Sequence, residues 1–397
     1  MPYLCNMKMT QYLKWKSDPS KGEVFTPIKL VNKILDKIPE EVWKTPESVF
    51  LDPCMGKGTF LLEIVRRLVY IYGYTEEDAK SRVYGYDIRV KYINHLTRRG
   101  FKNVRHKDFL NEVINMEFDV VLGNPPYQEK VGDKKTEPLW NKFVKKSISL
   151  IKKDGFLVFI HPTGWRDVEG KFKNIQEMIK SKKIHYLSLH NEKDSQKIFG
   201  VQSCFDWYVL QNTQPNAGFL TTIKCMDDTI VNEEIATMNF IPNGHFNEIK
   251  SLIAGPEDEN VNLIYSRSDY GTDKPQTSKV QTEEYVYPCV SNVNKDGSLT
   301  LYYSNTTNNG HFGIPKLICG KASSGTNFFI DRDGEYGLTQ YGFAIVDDSE
   351  NLEKIKMALT SDKFKILSQS LPRFSQAINH KMINSFKKDF WKEFINE

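Results

Sequence analysis

Ser48-Val49-Phe50-Leu51-Asp52-Pro53-Cys54-Met55-Gly56-Lys57-Gly58-Thr59-Phe60 runs from a short apolar segment through a Gly-x-Gly turn into a helical pattern. Ser48–Leu51 reads as a buried strand ending at Asp52, and from Gly58 onward Phe60, Leu61, Ile64, Val65 and Leu68 recur at helical spacing. Strand, glycine turn and helix in that order let backbone approach a ligand at a helix N-terminus. A tight turn with no ligand satisfies the same pattern. The full dinucleotide fingerprint is not met, because its third small residue is replaced by Leu61 and the next acidic strand end, Asp87, lies 29 residues past Gly58 instead of about 20. Nor is this a phosphate-binding P-loop, since Lys57 stands between the glycines and no Gly-x-x-x-x-Gly-Lys-Ser/Thr string exists.

Working outward, Thr26-Pro27 ahead of Ile28, Leu30, Val31, Ile34, Leu35 and Ile38 reads as an N-cap, a proline at the first helical position and an apolar helix face. Thr75 with Asp78 resembles a capping box. Val83–Tyr86, Val104–His106 and Phe118–Leu122 read as further strands, with a helix near 90–99 between the first two. Leu139–Ile151 is helical, Phe156–Ile160 is a strand, and Ile184–Leu189 with Cys204–Leu210 closes the sheet as a hairpin. The expected fold is α/β, a seven-stranded doubly wound Rossmann-like parallel sheet complete by residue 211. From Asn212 to about 345 the texture turns to Asn, Thr, Ser, Gly and Tyr with short alternating runs, which indicates a mostly β or α+β second domain; Asn351–Leu367 and Ile378–Phe394 read as helices. The expected division is therefore 1–211 and 212–397.

With 397 residues, 40% hydrophobic and 26% charged, the chain has enough apolar content for two or three domains and is not disordered overall. No apolar run approaches the roughly 20 residues of a membrane span, and no signal peptide is visible, so a cytoplasmic protein without a membrane partner is expected. The six cysteines form no Cys-x-x-Cys pair, which indicates reduced thiols and no metal site. Lys plus Arg exceed Asp plus Glu by 54 − 50 = 4, but residues 134–183 hold 13 basic and 5 acidic side chains, and residues 225–300 hold 5 and 13. The basic stretch reads equally as a solvated helix face and as a surface for a polyanion. The acidic one is expected to face solvent or a partner.

Asn124-Pro125-Pro126-Tyr127 follows a buried strand directly. Two prolines fix the backbone and remove two N–H donors, leaving carbonyl acceptors beside the Asn side chain. Rigid acceptors suit a substrate amino group, and the tyrosine offers a π-face for a planar one. An ordinary strand-to-loop exit reads the same way.

The order Glu23-Val24-Phe25-Thr26-Pro27, Asp52-Pro53-x-x-Gly56-x-Gly58-Thr59-Phe60, Asp87, Asp108-Phe109, Asn124-Pro125-Pro126-Tyr127 resembles the S-adenosylmethionine-dependent N6-adenine DNA methyltransferases. The arrangement is similar to their gamma class, found in restriction–modification systems and viruses, and the likeness covers residues 20 to about 211. It implies that Phe25, Thr26 and Pro27 cover the methionine end of the cofactor, with Asp52, Pro53, Gly56, Gly58 and Phe60 in the turn beneath. It implies that Asp87, followed by Ile88, holds the ribose hydroxyls, that Asp108 reads the adenine amino group, and that Phe109 packs on that adenine. Asn124, Pro125, Pro126 and Tyr127 match the catalytic site. Cys54 and Met55 stand where the family varies.

The residue types agree with that chemistry. An exocyclic adenine nitrogen is a poor nucleophile, and two acceptors on its N–H bonds favour the tetrahedral nitrogen that forms as a sulfonium methyl transfers in line. The target must leave the duplex stack, with Tyr127 on the flipped base. Cytosine C5 methylation is disfavoured, because it needs a cysteine nucleophile, typically after proline, and the Pro-Cys pairs are Pro53-Cys54 in the turn and Pro288-Cys289 in the second domain. The polar loop Gln128–Pro138, with Lys130, Lys134 and Lys135, is a candidate for closing over double-stranded DNA. Lys316, and Lys321 in Gly320–Asn327, are candidates for groove contacts. RNA amino-group methylation is the main alternative. A protein glutamine methyltransferase is disfavoured by the short N-terminus and the long C-terminal region, and a non-catalytic relative by intact Asn124 and Tyr127. A cognate restriction endonuclease would be a separate chain.

Overall fold

The computed structural model describes residues 24–131, 135–167, 170–265, 269–320, 327–371 and 380–395. They form two compact units, the first made of the described residues up to Trp165 with Gly170–Asn239, the second of Arg166 and Asp167 with the described residues from Phe240 onward.

In the first unit α1 (Ile28–Leu35) and α2 (Glu40–Lys44) precede β1 (Phe50–Asp52). Then come α3 (Thr59–Tyr70), α4 (Glu76–Ser81), β2 (Val83–Asp87), α5 (Val90–Thr97), β3 (Val104–His106) and β4 (Phe118–Gly123). A hairpin of β5 (Gln128–Val131) and β6 (Lys135–Pro138) stands where the sequence suggests a plain loop. It is followed by α6 (Trp140–Ile148), β7 (Ile151–Pro162), α7 (Lys173–Lys180), β8 (Lys183–His190), α8 (Glu192–Phe199), β9 (Phe205–Gln211), β10 (Thr221–Lys224) and β11 (Ile230–Glu233). The strand order is β11-β10-β8-β9-β7-β4-β1-β2-β3. β3, β2, β1, β4 and β7 are parallel, and β9 inserts between β7 and β8 antiparallel to both. The doubly wound α/β sheet is thus as expected, with two strands added. β10 lies parallel to β8 with Ile223 and Cys225 buried, which covers an edge that would otherwise expose unpaired backbone. The first unit therefore continues to Asn239, past the expected division at 211.

The helices form for the reasons their sequences give. Leu30, Val31, Ile34 and Leu35 of α1 and Phe60, Leu61, Ile64, Val65 and Leu68 of α3 are buried in one cluster with Phe50 and Val120 of the sheet. Thr75 Oγ1 accepts the Asp78 N–H at 3.1 Å, as a cap should. α1 starts one residue later than expected, with Pro27 as the extended residue ahead of it, and the Thr26 hydroxyl serves the site described below.

Where β8 ends, His190 Nε2 lies 2.9 Å from Ser188 Oγ and 3.2 Å from Trp207 Nε1, its Nδ1 lies 3.1 Å from Asp194 Oδ2, and its ring stacks on Phe205. An indole N–H only donates, so Nε2 accepts and the ring is neutral. Burial, with Lys224 acting in the same sense and Asp194 against it, pulls the His190 pKa down to about 4. In the unfolded chain it is about 6.5, so between these values the unfolded state binds more protons and stability is lost as pH falls from about 6.5 toward 4. The expected loss is up to about 3 kcal/mol at 1.36 kcal/mol per pKa unit. Urea midpoints at pH 7.5, 6 and 5 should show it, and the gap between native protein and His190→Asn should narrow with acid. A gap that stays constant across this range rules the linkage out.

The second unit contains α9 (Phe246–Leu252), then β12 (Asn262–Ile264), β13 (Thr277–Ser278), β14 (Tyr287–Val293), β15 (Leu299–Ser304), β16 (Lys316–Gly320), β17 (Phe328–Asp331), β18 (Gly337–Leu338) and β19 (Gly342–Val346). They make two four-stranded sheets, β12-β19-β16-β17 and β13-β15-β14-β18, an α+β arrangement as anticipated. The helix expected over 351–367 is two, α10 (Ser349–Thr360) and α11 (Asp362–Ser370), because Ser361 is extended and its hydroxyl accepts the Phe364 N–H, starting a new helix. The helix expected over 378–394 is reduced to α12 (His380–Ile383) and a 3-10 turn at Phe390–Glu393, since Phe386 and Lys387 bridge instead to Ile253 and Asn260. The same pairing sets Asp258 and Glu259 against Lys387 (3.8 Å) and Lys388 (3.0 Å), so that part of the acidic segment neutralises lysines of its own chain.

Among the described residues no helix is long and apolar enough to cross a membrane.

Candidate active site

β1, β2 and β4 are parallel and end at one edge of the sheet, which brings Asp52, Asp87 and Asn124 together. The chain winds from β1 to β2 and β3 on one side, then resumes on the other side with β4. A crevice opens at such a reversal, beyond the carboxyl ends of the strands.

The glycine turn fills the β1 end of that crevice. Gly58 has φ +80°, and a Cβ there would stand 2.7 Å from Leu96 Cδ1, so any other residue would be strained and would have to displace the Leu96 side chain. Two carboxylates hold the turn from inside. Asp52 Oδ1 accepts the Cys54 N–H at 3.1 Å, while Asp87 accepts the Gly56 N–H at 2.9 Å and the Arg89 N–H at 2.8 Å. Phe25 lies over the turn, its ring 3.5 Å from where a Gly56 Cβ would be and 4.8 Å from Lys57 Nζ. Pro53 is buried within it. Gly123 lets β4 close on Asp52, whose Oδ1 would lie 2.9 Å from a Cβ there. Burial pushes the Asp52 pKa up to about 7, against the pull of the Cys54 N–H and with the Asp87 charge adding to the rise.

Asn124 leaves the end of β4 between these groups. Its Nδ2 donates to Thr26 Oγ1 at 3.3 Å, while its Oδ1 is buried and meets no donor among the described residues. A buried acceptor left without a donor costs about 1–3 kcal/mol, so its presence marks a place prepared for something else. Pro125 is buried, Pro126 and Tyr127 are half-buried, and the Tyr127 carbonyl accepts the Leu139 N–H at 3.0 Å, which fixes the tetrapeptide to the start of α6. Burial, and to a lesser degree the Asp206 carboxylate, raises the Tyr127 phenol pKa.

The structure thus brings Phe25, Thr26, Pro53, Asp52, Gly56, Gly58, Asp87 and Asn124 into one site, with Pro27 capping α1 beside it. Ile88, next to Asp87, is 62% exposed, an apolar surface at the rim. Phe60 lies inside the α3 core, and the Phe109 ring is buried against Phe143 and Tyr86, where it serves as floor and not as an open face. Asp108 is exposed, its oxygens accepting the Leu110 N–H and the Asn111 amide, in an open cleft of about 480 Å³ shared with Leu139, Lys142 and Lys146.

Of the lysines singled out for DNA, Lys130 is exposed on β5. Lys134, Lys321 and the Lys135 side chain lie outside the described residues. Lys316 is corrected: it is wholly buried with Nζ 2.6 Å from Asp331 Oδ2, an internal ion pair that cannot reach a phosphate. The carboxylate that neutralises it stands 15 residues on, in the neighbouring strand β17, so its own stretch gives no sign of the ion pair. Several lysines of the basic stretch are also engaged, Lys142 with Glu129, Lys146 with the carbonyls of residues 109, 110 and 112, and Lys152 with Asp119. No linear motif flagged the buried set His161, Trp165, Asp206 and Tyr208 beyond Tyr127, although the uninterrupted burial of β9 is a signal for it.

Residues 57–199 match a family model described as Eco57I restriction-modification methylase. The chain is 26% identical over 157 residues to the type II methyltransferase M.VspI of a Vibrio species, covering 35% of this chain and 36% of that protein. It is 23% identical over 279 residues to a Mycoplasma pneumoniae protein named as an uncharacterized adenine-specific methylase, covering 44% of this chain and 66% of the other. The chain thus spans between about one third and two thirds of the curated relatives it matches. Among solved structures, the type IIL restriction-modification enzyme MmeI in complex with DNA is 10% identical, with a TM-score of 0.48 over 89% of this chain and 64% of that one.

Proposed function

We propose that the chain is a restriction–modification methyltransferase that carries a methyl group from S-adenosylmethionine to the N6 amino group of adenine flipped out of duplex DNA. The observation that carries this reading is the buried Asn124 Oδ1, which meets no donor among the described residues, at the strand-order reversal beside a turn whose positive φ at Gly58 favours glycine. An acceptor of that kind fits a substrate N–H, and the rigid Pro125 carbonyl next to it fits the second. When bound, S-adenosylmethionine supplies an electrophilic methyl on a sulfonium sulfur.

This chain's residues divide the remaining work. Phe25, Thr26 and Pro27 with Asp52, Pro53, Gly56 and Gly58 hold the methionine end, Asp87 takes the ribose hydroxyls, and Ile88 with Asp108 faces the adenine end. The Asn124 Oδ1 and the Pro125 carbonyl accept hydrogen bonds from the amino N–H groups so that the nitrogen lone pair localises, and Tyr127 lies on the flipped base. Exposed Lys130 is placed for a phosphate contact, which would make binding salt-dependent. Incubation with methyl-labelled S-adenosylmethionine and duplex DNA, RNA or protein, followed by sequencing of modified bases, tests the reading. Label at adenine N6 in duplex DNA is expected; label confined to RNA or protein overturns it.

A pH dependence follows from Asp52. The cofactor is cationic at sulfur and nitrogen, so it favours the ionised carboxylate, whose folded pKa is raised to about 7. Below that pH binding must first expel a proton. The cofactor Kd should tighten by about tenfold between pH 6 and 8, the linkage of one proton. Asp52→Asn should bind weakly with a flat profile. Calorimetry in buffers of differing ionisation heat measures the released proton, and none released at pH 6 would remove Asp52 from the cofactor's contacts.

A further inference from the structure

Lys146, near the end of α6, reaches the loop that follows β3. Its Nζ donates to the carbonyls of Phe109 (2.5 Å), Leu110 (3.1 Å) and Glu112 (2.5 Å), and stands 4.9 Å from the centre of the Phe109 ring. Carbonyl oxygens only accept, so these three use every N–H bond of an ammonium, whereas a neutral amine has two; Lys146 is charged here. Burial lowers its pKa, with the Asp108 and Glu112 charges acting against the fall. Three carbonyl dipoles aimed at one point repel one another unless a cation stands among them. The bend of residues 109–112 therefore depends on a side chain 34 residues beyond its end.

The same bend fixes the direction of Asp108. Its Oδ1 accepts the Leu110 N–H at 3.0 Å, its Oδ2 accepts the Asn111 amide at 2.7 Å, and its carbonyl accepts the Asn111 N–H at 3.0 Å. Leu110 thus binds the carboxylate through its N–H and the ammonium through its carbonyl. Phe143, on the same helix as Lys146, stacks on the Phe109 ring with centroids 5.6 Å apart, a second tie between helix and loop. Asp108 is exposed and lines the cleft of about 480 Å³ together with Leu110, Asn111, Leu139 and Lys146. Each of its oxygens keeps a lone pair for a further N–H.

We propose that Lys146 is a positioning residue for the adenine end of the cofactor: by gathering the carbonyls of residues 109, 110 and 112 it holds the loop in the shape that presents the Asp108 carboxylate to the adenine amino group. This rests on the methyl-transfer reading above, in which Asp108 faces that end. Lys146 itself touches the loop and not the ligand, so it acts through Asp108. A brace of the fold alone would support every ligand equally, whereas a device that aims Asp108 matters only to a ligand with an amino group for Asp108 to bind.

Calorimetric Kd values for two thioethers test this, S-adenosylhomocysteine and its analogue with unsubstituted purine in place of adenine. The native protein should prefer the first by about tenfold, the order of one hydrogen bond to a charged group. Lys146→Met, which keeps the apolar stem and removes the ammonium, should lose that preference, S-adenosylhomocysteine weakening about tenfold and the purine analogue less than about twofold. In turnover the loss should fall on the cofactor KM, with kcat at saturation held within about threefold, because the reacting methyl lies at the other end of the cofactor. Equal losses for the two thioethers, or a preference that survives, overturn the proposal. Should Lys146→Met not fold, Lys146→Gln keeps a polar head without the charge, and the preference should shrink by about threefold or more; the same two outcomes overturn it. If the native protein binds both thioethers equally, the proposal fails and the methyl-transfer reading stands. If it binds neither, the reading itself fails.

Discussion

Asn124→Ala should lose methyl transfer to the assay background while binding S-adenosylhomocysteine normally and melting no lower than the native protein. The three expectations share one cause. Oδ1 is buried and meets no donor among the described residues, so truncation removes an unpaid desolvation penalty of about 1–3 kcal/mol at the same time as it deletes the Nδ2 contact to Thr26, worth about 1 kcal/mol. Stability should therefore hold or rise, which is the pattern expected where a site keeps strain for function. The rate has no such compensation. The acceptor acts only while the amino nitrogen becomes tetrahedral, and losing one preorganised partner of that kind costs about 10²–10³-fold in kcat. Asn124→Asp should retain part of the activity, because a carboxylate accepts as well as a carboxamide carbonyl does. Single-turnover rates, cofactor affinity and melting on the same preparations check all three. Native-rate transfer by Asn124→Ala sinks the assignment, and a large fall in melting temperature would show that Oδ1 is satisfied by the protein after all.

The parts of the fold that the sequence made legible are those whose signal is local. Leu30 to Leu35 and Phe60 to Leu68 repeat at helical spacing, and strands ending at Asp52, Asp87 and Gly123 are bounded by turn residues, so the parallel sheet and its edge followed. The remainder was set by partners distant along the chain. Lys316 looks like a surface lysine until Asp331 is folded against it. β10 joins the first sheet because β8 has an edge to cover, and nothing within Thr221–Lys224 names that edge. Phe109 stacks on Phe143, 34 residues on, a partner that nothing in its own stretch names. The site shows the same division. The family resemblance singles out Asp52, Asp87 and Asn124 from local motifs, whereas the assembly of His161, Trp165, Asp206 and Tyr208 arises from cross-strand register, which no single stretch encodes.

Asp87→Ala should weaken S-adenosylmethionine binding by about 10- to 100-fold, the worth of a charge-assisted hydrogen bond of about 1.5–3 kcal/mol. Two routes lead there. The carboxylate is the proposed acceptor for the ribose hydroxyls, and it also braces the cradle by accepting from Gly56 and Arg89. Removing it leaves the N–H of Gly56, whose own positive φ of +52° needs holding, without this acceptor. A third consequence separates electrostatics from simple loosening. The Asp87 charge helps hold the Asp52 pKa up near 7, so its loss should let Asp52 ionise at lower pH. The pH at which cofactor affinity levels off should then move down in Asp87→Ala, even as the affinity plateau falls. Asp87→Asn keeps an acceptor for Gly56 and should lose less affinity, yet it removes the same charge and should show the same displacement of the pH profile. Titrations of cofactor binding from pH 5.5 to 8.5 on the native protein and both variants distinguish the contributions. An unchanged Kd in Asp87→Ala would take Asp87 out of the cofactor site, whereas a weakened Kd with an unmoved profile would leave it as a brace for the turn and disconnect it from Asp52.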